Sequence, residues 1–203
     1  MLYNSKKHKG GLFMKNFVRY SGEHIYLSPV RADDEAIRLY TEWMNDESIN
    51  MWIGKNSSVY TLESERQWAV NQNSDSINFN IVLKSYSPNS LERLIGNCGF
   101  VSIKDRNGIL GIFIGENFGR DKGYGTEAIK LLIKFGFEEL NLHRISLTLN
   151  ADNHRAYKCY LKAGFTEVGR EREAVYYGGH YADVIHMDIL KNEYFERKER
   201  QEK

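Results

Sequence analysis

The sequence predicts an α+β chain in which short strands and amphipathic helices are interspersed. Three observations carry that expectation. Ile109 to Ile114 is an apolar run too short for a globular helix and rich in β-branched residues, so it reads as a strand. Further on, Ala128, Leu131, Leu132 and Phe135 recur at i, i+3, i+4 and i+7, the spacing of one buried helix face. Glycine-bearing pairs, Asn107-Gly108 and Gly178-Gly179, then separate strand-like runs in the way hairpin turns do.

Taken in order, residues Met1 to Gly11 are polar and basic and lack the apolar stretch of a secretory signal. Residues 1–14 therefore read as a disordered extension, with Met14 as an alternative start, and 15–203 as one domain whose core runs from about 25 to 190. Ile25 to Val30 is a first strand. From Asp33 the pattern turns helical, with Ala36, Ile37, Tyr40, Trp43 and Met44 on one face and carboxylates in the first turn, where they complement the helix dipole. Asp46 to Gly54 is a second short helix and loop, and Thr61-Leu62-Glu63-Ser64 opens a third helix holding Trp68 and Val70. Asn78 to Lys84 and Leu94 to Lys104 are strands joined by a loop through Ser85, Pro88 and Ser90, and Asn107-Gly108 is the turn into Ile109–Ile114. Arg144 to Asn150 alternates Ile145, Leu147 and Leu149 with polar residues, a half-buried strand. A helix follows from Asn153 to Ala163, capped at its start by Asn153 or Asp152 and stopped by Gly164. Phe165 to Tyr177 and His180 to Leu190 form a terminal hairpin, and the charged residues from Lys191 on read as a frayed helix or tail.

Composition excludes several classes. The chain has 203 residues with 28 Lys plus Arg against 27 Asp plus Glu, so it has no general electrostatic pull on nucleic acid. Two cysteines, Cys98 and Cys159, make no disulfide framework and read as small buried apolar residues; no spacing suits a metal. No apolar run reaches the roughly 20 residues of a membrane span. A cytoplasmic protein without metal, nucleic-acid or membrane partner is the expectation.

Between the strand and the helix lies Gly119-Arg120-Asp121-Lys122-Gly123-Tyr124-Gly125-Thr126, a basic, Gly-rich loop. A loop of this kind aims several backbone N–H groups at one spot beside the positive end of a helix dipole, which suits phosphate. The nucleotide P-loop is ruled out, because Gly125 rather than Lys precedes Thr126. Gly123-Tyr124-Gly125-Thr126-Glu127-Ala128 satisfies the dinucleotide fingerprint literally, but its glycines stand well past the strand end and no acidic residue sits at the required distance. A third pattern, Arg/Gln-x-x-Gly-x-Gly/Ala, is met by Arg120-Asp121-Lys122-Gly123-Tyr124-Gly125. Downstream, Asn153-His154-Arg155-Ala156-Tyr157-Lys158-Cys159-Tyr160-Leu161-Lys162-Ala163-Gly164-Phe165 supplies a second pattern in the same order. Together they resemble the two signatures of the GNAT superfamily of N-acetyltransferases. The tail from Tyr176 to Met187 looks like the closing hairpin of its branch of ribosomal-protein and spermidine N-acetyltransferases. The resemblance covers roughly Ile25 to Leu190.

That resemblance implies a mixed, mostly antiparallel twisted sheet flanked by helices, splayed into a V at an acetyl-CoA cleft. The activity it implies is acetyl transfer from acetyl-CoA to a primary amine. A small-molecule amine such as a polyamine is favoured over a protein N-terminus, with a coenzyme A-binding module lacking turnover as the reading of another class; a homodimer is compatible with it. The pyrophosphate of the coenzyme would rest on the amides of Asp121, Lys122, Gly123, Tyr124, Gly125 and Thr126 with charge support from Arg120 and Lys122. The pantetheine arm would run along Ile112, Phe113 and Ile114, and Asn153 and Tyr157 would touch it from the next helix. Tyr160 matches the family's general acid. The family's usual carboxylate base falls at Ile109 here, so the base is open. Glu116 is the nearest substitute by position, with His180 and Asp183 behind it, and the acidic run from Asp33 to Glu47 is a candidate attractant for a cation. A base matters because a Lys-like amine with pKa about 10.4 is only about one part in 2,500 neutral at pH 7.

Overall fold

The protein is described from a computed structural model that covers residues 17–54, 58–73, 75–84 and 93–201. The extension expected at 1–14 and the loop through Ser85, Pro88 and Ser90 lie outside the described residues.

Eight strands form one open sheet: β1 (Tyr20–Ser21), β2 (Ile25–Pro29), β3 (Ile77–Leu83), β4 (Arg93–Lys104), β5 (Asn107–Ile114), β6 (Arg144–Asn150), β7 (Thr166–Tyr177) and β8 (His180–Leu190). Their spatial order is β1-β2-β3-β4-β5-β6-β8-β7. Every neighbouring pair is antiparallel except β5 and β6, which are parallel. The expected α+β architecture with its mixed, mostly antiparallel sheet is therefore the one observed.

Helices cover both faces. On one side lie α1 (Asp34–Asn45), α2 (Glu47–Ile53) and α3 (Leu62–Val70). Their Ala36, Ile37, Tyr40, Trp43, Ile49 and Ala69 pack on Tyr26, Val82 and Leu94 of the sheet. On the other lies the larger core, where Ile25, Leu27, Ile81, Ile95 and Phe100 meet Ala128, Ile129, Leu132 and Ile133 of α4 (Tyr124–Lys134). Successive residues of β2 thus feed opposite faces, as the two-residue period of a strand dictates, and a strand buried on both sides shows no polar alternation. Among the described residues no helix is long and apolar enough to cross a membrane, and no group of His, Cys, Asp or Glu is placed to hold a metal.

Four local readings change. The hairpin between β4 and β5 turns at Asp105-Arg106, with φ of 51° and 60°, and Asn107 already pairs with Lys104 in the ladder. Gly108 serves packing instead: a Cβ there would lie 2.8 Å from both Leu142 Cδ1 and Phe100 Cδ1. Of the two readings of the segment from Lys191, the helix is the one observed: Lys191–Gln201 forms α6 and is held rather than frayed, because Tyr194 and Phe195 reach back to the core and Glu138 accepts hydrogen bonds from Tyr194 Oη at 2.7 Å and Lys198 Nζ at 2.8 Å. Two apolar anchors are enough to dock a helix whose sequence is mostly charged. The helix after the glycine loop widens into a π-helical turn over Phe135–Glu139, where Gly136 lets Phe100 and Ile145 approach. β1 is two residues long, too short to register as a pattern.

Candidate functional site

β5 and β6 pair only over Asn107–Ile109 and Arg144–Ser146, and beyond that they part. A cleft of about 950 Å³ occupies the gap, at the upper end of what small-ligand sites usually enclose. Its walls include Ile109 to Ile114 from β5 and Thr148 and Leu149 from β6. Past Ile109 the β6-facing edge of β5 has no ladder partner among the described residues, which leaves backbone groups near Ile112, Phe113 and Ile114 available to an extended ligand. Ile112 and Ile114 pack toward the larger core, while Phe113 points to the other face and meets Trp43 edge-on at 6.0 Å.

One half of the cleft is built by the Gly-rich loop and two helix starts. β5 ends at Ile114, the chain makes a 3₁₀ turn over Asn117–Gly119, and α4 begins at Tyr124 with Gly123 as its N-cap at φ 84°. Asp33, Asp46 and Thr61 cap α1, α2 and α3 through their side chains, as Asn153 caps α5 (His154–Ala163), but a glycine has none to offer. The first-turn amides of α4 are therefore left for a ligand or water. Gly125 is open in the same sense: a Cβ there would meet only Cys159 Sγ and Ile114 Cγ1, each at 3.9 Å. The protein's own packing does not require glycine at 125.

Arg120, Asp121, Gly123, Gly125, Thr126 and Asn153 all line this half. Arg120 folds back so that its Nε and Nη2 reach the carbonyls of Ile114 and Gly115 at 3.4 Å. Asn153 spends its Oδ1 on the Ala156 amide at 3.1 Å as the cap of α5 (His154–Ala163). Sequence reasoning missed three further cations here, Arg155, Lys158 and Lys162, although their spacing along α5 puts them on one face. Thr126 Oγ1 and Cys159 Sγ lie 3.1 Å apart and tie α4 to α5; burial raises the Cys159 thiol, so it is a poor nucleophile at neutral pH.

Tyr160 also lines the cleft. It is 8% exposed, stacks edge-on to Phe165 at 5.8 Å, and its hydroxyl has no hydrogen-bond partner among the described residues. Burial, with a smaller push from Cys159, raises its pKa well above the ordinary phenol value. The hydroxyl is accordingly protonated across the physiological range.

The structure does not bring every expected residue to the cleft wall. Tyr157 is turned toward β7, its hydroxyl donating to Glu167 Oε2 at 2.9 Å, and it is absent from the lining. Tyr124 packs on the core and on His24, whose ring centre is 6.0 Å away, and Lys122 is exposed. Glu116 accepts a hydrogen bond from Trp43 Nε1 at 3.2 Å and lies off the cleft wall, so the carboxylate nearest by position is committed elsewhere. His180 pairs with Asp152 at 2.9 Å, and Asp183 accepts from the Glu173 amide at 3.0 Å. The acidic run is spent locally too: Asp33 and Glu35 on Arg31, Asp34 on Arg66, and Asp46 on the start of α2.

The other half of the cleft is framed by α1 to α3 and by β3. Here Tyr40, Met44, Trp68, Ser76, Asn78 and Asn97 surround one charged side chain, Glu65. At its floor Tyr40 Oη donates to Asn80 Oδ1 at 2.7 Å, and Asn97 Nδ2 donates to the same oxygen at 2.8 Å. Burial pushes the Tyr40 hydroxyl up to about 12. Glu65 is 6% exposed, and its carboxylate makes no hydrogen bond or ion pair among the described residues. Desolvation raises its pKa. The only hint in the sequence is a Glu three residues before Trp68 on a helix, a pattern indistinguishable from an ordinary solvated face.

Comparisons with known proteins follow this geometry. The acetyltransferase (GNAT) domain family matches residues 24–166. Among curated proteins, the chain is 34% identical over 119 residues to an uncharacterized N-acetyltransferase, p20, of Bacillus licheniformis, covering 57% of this chain and 63% of that one. It is 30% identical over 102 residues to the putative ribosomal N-acetyltransferase YdaF of Bacillus subtilis, covering 48% and 55%. Against a spermidine N(1)-acetyltransferase of Vibrio cholerae it is 36% identical over 78 residues, covering 38% and 45%. These matches thus span between about half and two thirds of those relatives' lengths. Among solved structures, the spermidine N-acetyltransferase of Vibrio cholerae in complex with CoA and spermine superposes with a TM-score of 0.73 at 22% identity, over 85% of this chain and 98% of that one.

Proposed function

The chain belongs to the GNAT acetyltransferase family, and on that premise we propose that it transfers an acetyl group from acetyl-CoA to the primary amine of a small polycation. The observation that carries this reading is the charge division of one continuous cleft, four cations and an uncapped helix start at one end and a lone carboxylate at the other. A polyanionic donor and a cationic acceptor can enter such a cleft from opposite sides and meet at β5.

In this reading the α4 amides from Tyr124 to Thr126, with Arg120, Arg155, Lys158 and Lys162, hold the pyrophosphate. The free edge of β5 past Ile109 holds the pantetheine arm in register and so delivers the thioester to Tyr160. The Tyr160 hydroxyl, protonated and without another partner, gives its proton to the departing thiolate. Likeness to spermidine acetyltransferases supports a polyamine acceptor. Likeness to a putative ribosomal N-acetyltransferase favours a second reading, transfer to a protein N-terminus. Thiol release from acetyl-CoA, scanned over polyamines, other amines and short peptides with free N-termini, tests both. Release with spermidine and spermine but not peptides is the expected result; release only with peptides selects the second reading. Silence across the panel, with coenzyme binding shown separately, would leave a coenzyme-binding module.

A further inference from the structure

We infer that Glu65 is the acceptor-side catalytic carboxylate: it docks the substrate ammonium and takes its proton, in place of the carboxylate that this chain lacks at Ile109. The inference rests on the transfer reading above and adds to it the group that reads the amine.

Position is the first argument. Ile109 stands at the mouth of the splay, 45% exposed, where a side chain can offer neither charge nor proton acceptance. Glu65 reaches the same cleft from the opposite wall, on α3. Its helix neighbours divide the labour. Arg66 turns outward to the Ala32 carbonyl and Asp34, Glu63 accepts from Gln67, and Glu65 alone of the three turns inward.

Energetics is the second. The Glu65 carboxylate is largely withdrawn from solvent, has no protein partner among the described residues and opens only onto the cleft, where water or a cationic ligand supplies the partner. All other charged groups on the cleft wall, Arg120, Asp121, Arg155, Lys158 and Lys162, belong to the Gly-rich loop or α5. Among the described residues, the titratable groups facing Glu65's half from α1, the loop before α3 and β4 are the Tyr40 and Tyr60 hydroxyls and the Cys98 thiol, none of them a cation. An incoming ammonium is the complement that this half lacks. Trp68 and Tyr40, edge-on at 5.4 Å, add aromatic surface on which an alkylammonium can rest.

The proton balance closes. The ammonium loses two protons on becoming an amide: the first passes to the Glu65 carboxylate and then to water, and the second ends on the coenzyme thiol by way of Tyr160. One C–S bond breaks, one C–N bond forms, and one proton is released per turnover. Desolvation raises the Glu65 pKa above the ordinary carboxylate value, which makes it a stronger base than an exposed carboxylate.

The test uses the full chain and three readouts. Glu65→Gln should lower kcat/KM for spermidine by roughly 100-fold or more and remove the acid limb of its pH profile. It should weaken binding of 1,4-diaminobutane to the CoA complex at least tenfold by calorimetry. It should leave CoA affinity unchanged and hold or raise Tm, because a partly desolvated charge without a protein partner is removed. Glu65→Asp should restore part of the diamine affinity. Glu65→Gln with kcat/KM and diamine affinity both within twofold of the parent would overturn the assignment. Should that variant fail to bind CoA, Glu65→Asp decides by itself, since kcat/KM unchanged on withdrawing the charge by one methylene has the same force. A parent protein that binds diamine through Glu65 but releases no thiol would sink the transfer reading and leave this site standing. Brisk release that ignores Glu65 would do the reverse.

Discussion

Arg120, Arg155, Lys158 and Lys162 line the half of the cleft proposed for the coenzyme, against one carboxylate, Asp121, whereas Glu65 is the one charged side chain among the described residues of the half proposed for the acceptor. The two halves also differ in how they hold a ligand. The coenzyme half offers backbone: uncapped amides at the start of α4 and an open edge on β5. The acceptor half offers side chains from α1, α3, β3 and β4. Backbone recognition is nearly indifferent to residue identity except where a side chain would intrude, so it leaves a glycine pattern as its trace. Side-chain recognition depends on which groups the fold happens to gather, and leaves no pattern that runs along the chain.

The comparison can be broken or sharpened by substitution. The largest effect expected is at the meeting point of the halves: Tyr160→Phe should cut kcat by about 100-fold, or about 2.7 kcal/mol of barrier, without moving the coenzyme Kd. Unchanged turnover at saturating substrate would remove Tyr160 from the chemistry and leave it as the buried ring that Phe165 already makes it.

Next comes Gly125→Ala. The folded protein has room for the methyl, and alanine is favoured over glycine in a helix by up to about 1 kcal/mol, so Tm should hold or rise. Coenzyme affinity should nevertheless fall by about 10- to 100-fold, because the methyl would occupy the space of the phosphate. A variant that binds CoA normally would show that the amides are not the site. Diamine affinity in the same variant should be unaffected, and a parallel loss would mean that the halves are not independent.

Glu116→Gln should change kcat/KM by less than twofold, since Glu116 accepts from Trp43 off the cleft wall. A loss of tenfold or more would return it to the list of bases and weaken the case for Glu65.

The smallest effect is electrostatic and lies outside both halves. Asp152 accepts from His180 Nε2 at 2.9 Å and from Tyr177 Oη at 2.8 Å, pinning the β7–β8 turn to the loop after β6. The His180 hydrogen bond, ahead of that from Tyr177, holds Asp152 below its usual range, and Asp152 in turn raises His180. His180's share of the stability is complete below the ordinary imidazole pKa and lost as pH rises through the elevated one. Asp152's share is present above the ordinary carboxylate pKa and lost as pH falls through the depressed one. The pair therefore holds best between about pH 4 and 6.5. Amide protection factors at Gly178 and Gly179, which correct for the intrinsic pH dependence of exchange, should be highest in that window and become flat with pH in His180→Ala; an unchanged profile would show the contact to be incidental. Both groups are solvent-exposed, so global stability should barely move.

How much of this was legible in advance follows the same division. The helix after the glycine loop, the alternation of Ile145, Leu147 and Leu149, and the Asn153 cap could all be read because period and cap chemistry are local. The turn at Asp105-Arg106 was misplaced because Asn107-Gly108 carries the stronger turn signal, while packing had claimed Gly108 for the contact with Phe100 and Leu142. α6 left open the choice between helix and tail because its apolar contacts come down to Tyr194 and Phe195, while Lys198 and Arg197 find their partners, Glu138 and the Gly164 carbonyl, on distant segments. Tyr157 keeps its place in the motif but turns to Glu167, a partner ten residues on that no spacing rule identifies.

Local sequence accounts for the interspersed α+β order, the Gly-rich loop at the start of α4 and the place of Tyr160 on α5, because each rests on neighbours within a few turns of chain. Tertiary structure alone decided that β5 and β6 part after Ile109, that Asp33, Asp34, Glu35 and Asp46 of the acidic run are taken up by Arg31, Arg66 and the starts of α1 and α2, and that Glu65 is carried inward without a partner among the described residues. Whether a carboxylate is solvated, paired or held in reserve depends on what other segments place around it, and desolvation and Coulomb attraction act through space, not along the chain.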